Sequence, residues 1–257
     1  MKRALTLAAV LATSMALPAG AADIQYKVLV LAIPNKYHYE YIPVARDSLE
    51  KLAKLHAFDF TYTNKTEVFD GDLKQYAAVI FLNTPGEELN PAQRAKFEDY
   101  MRGGGNAVVV HRAAITPPNG WVWYEKLVGR SFTNHPMLQT AAVDVVDKGF
   151  PAGYAVPQRW IWSDEWYVFT NPYKVTVNPV LNVDESTYDT TKIWPGQVSH
   201  GMGKDHPVAW YHNYEKGRVF VTTLGHYVEM YRDPQYLAHL MGGIWWAATG
   251  KGQATGR

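Results

Sequence analysis

Residues 103–115, GGGNAVVVHRAAI, decide the fold. The run from Ala107 to Val110 is short, apolar and rich in β-branched side chains, the pattern of a strand buried on both faces. It ends abruptly at His111, and a turn toward a helix is expected to follow. In open α/β sheets ligands bind beyond the carboxyl ends of the strands, so His111 stands where chemistry would be done. A strand-to-helix elbow of this kind usually presents a serine or cysteine nucleophile. Here the residue is histidine, and the chain contains no cysteine. The scaffold is therefore one from which the usual covalent chemistry has been removed.

Upstream, the same pattern repeats. Lys27 to Ile33 (KVLVLAI) reads as a buried parallel strand, and Tyr41 to Leu55 as a helix with Ile42, Ala45, Leu49, Leu52 and Leu55 at helical spacing. Phe58 to Tyr62 is a second strand; Ala77 to Leu82, after the polar turn Asp70-Gly71-Asp72, is a third. The next helix has Asn90 as its N-cap, Pro91 at its first position and Gly103-Gly104-Gly105 as its stop. This alternation predicts an α/β fold, a mainly parallel sheet with helices on both faces. After residue 138 the pattern changes. Thr140 to Val146, Lys174 to Val183, Pro207 to Tyr211 and Arg218 to Thr223 read as strands with little helix between them, so antiparallel or crossing additions are expected in the second half. A last helix, Pro234 to Ala248, packs back through Leu237, Leu240, Met241, Ile244 and Trp245. No linker or repeat interrupts residues 23–257, which predicts one domain.

Residues 1–22 read as a secretory signal peptide: Lys2 and Arg3, an apolar core from Ala4 to Pro18, then the small residues Ala19-Gly20-Ala21-Ala22. Cleavage is expected after Ala21 or Ala22, giving a periplasmic or secreted protein. No later stretch approaches the ~20 apolar residues of a membrane span, so no membrane insertion is expected after cleavage. Loss of Lys2 and Arg3 takes the formal charge from +1 to −1. That balance argues against a nucleic-acid partner, which needs a basic patch. Without cysteine an exported chain has no disulfides, and the core alone must hold it together. Nine tryptophans and 17 tyrosines supply aromatic faces that suit sugar stacking or an ordinary packed core.

Five stretches could carry chemistry. His111 could act as general base, general acid or metal ligand; its plainer reading is a ring that satisfies a loop carbonyl. Ser163-Asp164-Glu165-Trp166-Tyr167 is expected on a loop, its two carboxylates pointing different ways, with Glu165 the one to face His111. Gly217 to His226 (GRVFVTTLGH) repeats the arrangement of the fourth strand, so His226 and His111 could meet in one cleft with Glu165 as third group. Tyr37-His38-Tyr39-Glu40 lies on the rim beyond the first strand and offers His38 and Tyr39 to a substrate. His135-Pro136 and His206-Pro207 hold histidine in extended backbone and read first as turn markers. His56, His200, His212 and His239 have weaker context. There is no P-loop, no HExxH and no G-x-S-x-G, and the glycine run lacks dinucleotide spacing. A His/His/Glu set would suit zinc or a similar ion, but only folding could assemble it. The sequence requires no cofactor and leaves a divalent metal open.

Taken together, the post-strand segment with His38, GGGNAVVVH (103–111), SDEWY (163–167), HPVAWYHNYEKGRVFVTTLGH (206–226) and the closing GGIWWAATG resemble the trehalose-utilisation (ThuA-like) family over roughly residues 26–250. The resemblance implies a three-layer, flavodoxin-like fold of the class I glutamine amidotransferase-like type. It also implies that His111 replaces the catalytic cysteine of true amidotransferases, so glutaminase activity should be absent. Finally, it implies a role in carbohydrate catabolism, near trehalose, related disaccharides or their keto derivatives. One departure is Arg112, where family members commonly carry a small residue; a guanidinium there narrows the pocket or binds an anionic group. The expected activity is a hydrolase, lyase or isomerase reaction on a small-molecule carbohydrate. His111, Glu165 and His226 would be catalytic, and His38, Tyr39, Arg112, Asp164, Tyr167 and His135 would bind substrate. A non-catalytic carbohydrate-binding protein and a metal-dependent hydrolase stand as alternatives, and homo-oligomer formation is left open.

Overall fold

The computed structural model describes residues 23–117, 120–170 and 174–254. The expected signal peptide lies outside the described residues. Eleven strands and four α-helices follow in chain order among them: β1 (Lys27–Leu31), α1 (Tyr41–His56), β2 (Asp59–Thr63), β3 (Ala78–Leu82), α2 (Pro91–Arg102), β4 (Ala107–Val110), α3 (Val122–Val128), β5 (Phe132–Asn134), β6 (Gln139–Val145), β7 (Arg159–Asp164), β8 (Val168–Phe169), β9 (Asn178–Asp184), β10 (Pro207–Tyr214), β11 (Gly217–Thr222) and α4 (Pro234–Thr249).

Nine strands form one sheet in the order β2-β1-β3-β4-β11-β10-β9-β6-β7, and β5 pairs with β8 apart from it. The first five are parallel neighbours; β10, β9, β6 and β7 add on antiparallel. The parallel half has the strand order of flavodoxin-like sheets, whose ligands bind beyond the carboxyl ends of the strands, near the point where the strand order reverses. The fold expected from the sequence is the one observed.

Strand periodicity divides the core. Val28, Val30, Ile80, Val108, Val110 and Phe220 face α1 and α4 on one side. Leu29, Leu31, Phe81, Val109, Val219 and Val221 face α2 and α3 on the other. Helix α2 begins in a full capping box, Asn90 with Gln93, and α4 on Asp233, whose carboxylate accepts from Gln235 and Tyr236.

The antiparallel half does not continue flat. Four strand spacings of about 4.8 Å would hold β7 some 19 Å from β11. Instead the Asp164 carboxylate at the end of β7 accepts from the backbone N–H of Gly225, just past β11, at 2.9 Å. The sheet curls back over the start of α4, with Trp160 in the α1/α4 core and Trp162 stacked near Tyr236. The loop expected for 163–167 is thus corrected. Ser163 and Asp164 belong to β7, paired with Thr140 and Gln139, and only residues 165–167 form the link to β8. The carboxylate of Asp164 broke the apolar pattern because its partner is a distant backbone N–H.

Helix α4 lies close against β11 because Gly243 has no side chain: a Cβ there would fall 2.0 Å from the buried Phe220 ring. Gly243→Val should therefore cost about 2–3 kcal/mol in urea-induced unfolding. A value within 0.5 kcal/mol of the unmodified protein would contradict this packing.

Candidate active site

Each central side chain stands just beyond a strand end. His38 follows β1, His111 follows β4, Glu165 follows β7 and His226 follows β11. His111 has φ +52°, in the left-handed region that costs a β-carbon-bearing residue about 1–2 kcal/mol. The short 3₁₀ turn His111–Ala114 then leads away from the sheet. Asn83, at the end of the neighbouring β3, shares the positive φ and accepts from the Arg112 N–H at 3.3 Å, which pins the elbow. Gly225, at φ +131°, has no alternative to glycine: a Cβ would meet the hydroxyls of Tyr236 and Tyr231 at 2.7 and 2.9 Å. That turn delivers His226.

The geometry is compact. His111 Nδ1 lies 2.8 Å from the Thr223 carbonyl, which can only accept, so Nδ1 carries the proton and Nε2 offers its lone pair to the site. Around that Nε2 lie Tyr167 Oη at 3.2 Å, His226 Nδ1 at 3.3 Å and Glu165 Oε2 at 3.6 Å. The same Glu165 oxygen is 3.4 Å from His226 Nδ1 and 3.7 Å from His135 Nε2. The His38 ring stands at 5.1 and 5.2 Å, centroid to centroid, from those of His111 and His226. One donor atom from each of His38, His111, Glu165 and His226 falls within 4.8 Å of the others, so these four could hold a metal ion.

Electrostatics set the protonation states. Burial pushes His111 down to about 3 and His38 down to about 4, so both rings are neutral near pH 7. Burial alone would raise Glu165, but the hydrogen bond from His226 and the charges of His111 and His135 outweigh it and hold the carboxyl at about 2. Burial likewise opposes charge on His226, yet the Glu165 contact wins and raises it. Asp164, fully buried beneath, is pushed up to about 7 by burial, against the opposing N–H bonds from Gly225 and Glu165.

Above the cluster opens a cleft of about 460 Å³, walled by Tyr37, Ile115, Trp194 and Tyr167, with Arg112 and Gln197 as polar rim groups and His135 at one side. A larger hollow, about 700 Å³, lies over α1 and β2 around Arg46, Glu50 and Lys54. It is open ground between surface side chains and gathers no converging donors, so the cleft at the strand ends is the candidate site.

The structure thus brings together His111, Glu165, His226 and His38, and places Arg112, Tyr167 and His135 on the same cleft. Two expected binding residues are not there. Tyr39 points to solvent with its hydroxyl on Glu40, because the loop turns Tyr37 to the rim instead. Asp164 is wholly buried below the floor, where it anchors backbone and cannot reach a ligand. His239 is a core ring between Ala152 and Thr222, and His56 and His200 lie on the surface. Tyr37, Ile115, Trp194 and Gln197 escaped the sequence reading. For Trp194 a signal existed, a lone tryptophan in the long polar connection before β10.

His206 supports this wall. Its Nδ1 lies 2.6 Å from Glu185 Oε1 and its Nε2 3.0 Å from the Tyr167 carbonyl. Glu185 also accepts from the N–H groups of Met202 and Gly203, tying down the end of the Trp194-bearing segment.

Comparison with known proteins agrees with the fold. A family model described as "ThuA: Trehalose utilisation" matches residues 27–247. A ThuA-like protein of Bacteroides uniformis superposes with a TM-score of 0.74 at 24% identity, covering 90% of this chain and 95% of that one. A ThuA-like protein of Parabacteroides merdae gives 0.70 at 18% identity, with 90% and 92% covered. A β-galactosidase from Rahnella sp. R3 shares the fold over 86% of this chain and 32% of its own, at TM-score 0.55 and 15% identity. A search of curated proteins found no match.

Burial pushes the Glu185 carboxyl up, but its His206 and backbone hydrogen bonds outweigh this and lower it. Its contribution to stability is therefore present above the ordinary carboxylate range and lost as the pH falls through it. Glu185→Gln should cost about 2 kcal/mol at pH 7, with the difference from the unmodified protein shrinking toward pH 3 in urea titrations. A difference constant from pH 7 to pH 3 would contradict the pairing.

Proposed function

The chain belongs to the ThuA, or trehalose utilisation, family, and from that premise we propose that it is a carbohydrate-directed enzyme acting on a disaccharide or keto-sugar. One observation carries the reading: an imidazole- and carboxylate-lined floor lies under an aromatic-walled cleft at the carboxyl ends of the strands. A pyranose presents an apolar face to rings such as Trp194 and Tyr37 and an edge of hydroxyls to groups such as Arg112 and Gln197. Its reacting oxygen would then rest over Glu165 and His226, with His111 buried behind them.

Within this proposal His111, Glu165 and His226 are the reacting centre. His38 completes the floor, and Arg112, Tyr167 and His135 bind substrate. With histidine at the elbow and no cysteine in the chain, the site has no thiol for glutaminase chemistry. Residues 1–22 remain proposed as a signal peptide that exports the domain 23–257 to the periplasm or medium.

A thermal-shift screen against trehalose, other disaccharides, their 3-keto forms and sugar acids should find a stabilising ligand, since binding raises stability by RT ln(1 + [L]/Kd). For that ligand, His111→Ala should lower kcat by at least 10²–10⁴-fold. Trp194→Ala should instead raise KM about tenfold, the loss of one stacked ring. Binding without turnover would identify a carbohydrate-binding protein, and a screen with no hit would remove sugars as the substrate class.

A further inference from the structure

We infer that His38, His111, Glu165 and His226 are the ligands of a resident divalent first-row transition-metal ion, held through three imidazole nitrogens and one carboxylate oxygen. The inference rests on reading this cluster as the reacting centre, and it supplies the cofactor which that reading leaves unnamed.

The spacing is that of a coordination shell. Donors bound about 2.1 Å from an ion in a tetrahedral array lie about 3.4 Å from one another. The three edges joining His111 Nε2, His226 Nδ1 and Glu165 Oε2 measure 3.3, 3.4 and 3.6 Å. The full set of four spans no more than 4.8 Å, which small side-chain shifts close onto an ion.

His38 is the residue that a metal-free cluster fails to explain. Its Nδ1 lies 3.2 Å from Asn35 Oδ1, and that oxygen also accepts from the Tyr37 N–H at 3.0 Å, which fixes the amide's orientation. Nδ1 therefore carries the proton, and Nε2 is left as a lone pair. That Nε2 is buried and has no hydrogen-bond partner, on a residue only 5% exposed. A buried nitrogen without a partner costs about 1–3 kcal/mol in a folded protein unless something binds it. An ordinary proton relay would have given it a hydroxyl or carbonyl. A cation needs only the lone pair.

Outer contacts complete the pattern. Metal-bound imidazoles donate their other N–H to a carbonyl or carboxylate, which sets the tautomer and aims the ring. His111 does so to the Thr223 carbonyl and His38 to Asn35. Three nitrogens disfavour calcium and magnesium, which take oxygen ligands, and favour ions of the zinc, iron, cobalt or nickel kind. His38, Glu165 and His226 line the cleft, so a sugar oxygen would approach such an ion from that side. His135 and Tyr167 adjoin it without being ligands.

The test uses the full chain, without an affinity tag, stripped by chelator and then dialysed separately against Zn²⁺, Co²⁺, Ni²⁺, Mn²⁺ and, without oxygen, Fe²⁺. One ion per chain should be recovered by elemental analysis for at least one of these metals. At 100-fold excess over Kd the ion should raise the Tm by about 5–10 °C. His38→Ala and His111→Ala, each checked for retained circular dichroism, should weaken binding at least 100-fold, whereas His135→Asn should keep full stoichiometry. Less than 0.1 ion per chain with every metal, or equal loss in His135→Asn and His38→Ala, overturns the inference. Stoichiometric metal without any sugar turnover would sink the proposed activity and leave the metal site standing. Full turnover in chelator-stripped protein would do the reverse.

Discussion

The bond from the Gly225 N–H to the Asp164 carboxylate is the join on which the site depends. It ties the end of the outermost strand to the end of a central one, four places away in the sheet. The same carboxylate accepts from the Glu165 N–H, so one buried group fixes the backbone that presents Glu165 and the backbone that presents His226. Without this closure Glu165 would stand at the sheet's far edge. The cost is a carboxyl group kept out of water: burial pushes it up to about 7, against the opposing pull of two backbone N–H groups and His226.

Above that join, the floor divides by depth. His111 and His38 are buried and neutral, each held in one tautomer by an acceptor behind it. Glu165 and His226 are partly open and carry opposite charge tendencies. Lone pairs and one carboxylate thus point to a common centre from four strand-end segments, while aromatic rings line the way in. Strain at His111, whose φ is positive, is sustained by the Asn83 contact and by the Thr223 carbonyl. The turn after β4 thus presents an imidazole where strand-to-helix elbows often present a nucleophile.

How much of this was legible depended on whether the signal was local. The apolar runs 27–33, 77–82 and 107–110 and the cap at Asn90 are local, and they predicted the parallel half and its helices. Two histidines closing two apolar runs were read correctly as neighbours, because β4 and β11 are adjacent in the sheet. The role of Asp164 was not legible, since its partner is a backbone N–H 61 residues away and leaves no side-chain pattern. Tyr39 and Tyr37 flank His38 symmetrically in sequence, so which of them reaches the cleft depends on the turn made at Asn35. Trp194 and Gln197 come from a long connection whose course is set by Glu185 and His206.

His111 presents a bare Nε2 to a shared centre because the Thr223 carbonyl holds the proton on Nδ1. Long-range ¹H–¹⁵N imidazole spectra of selectively labelled protein read this directly. His111 should show a protonated Nδ1 and an unprotonated Nε2 from pH 5 to pH 8. An Nε2-protonated tautomer, or an imidazolium near neutral pH, would contradict it.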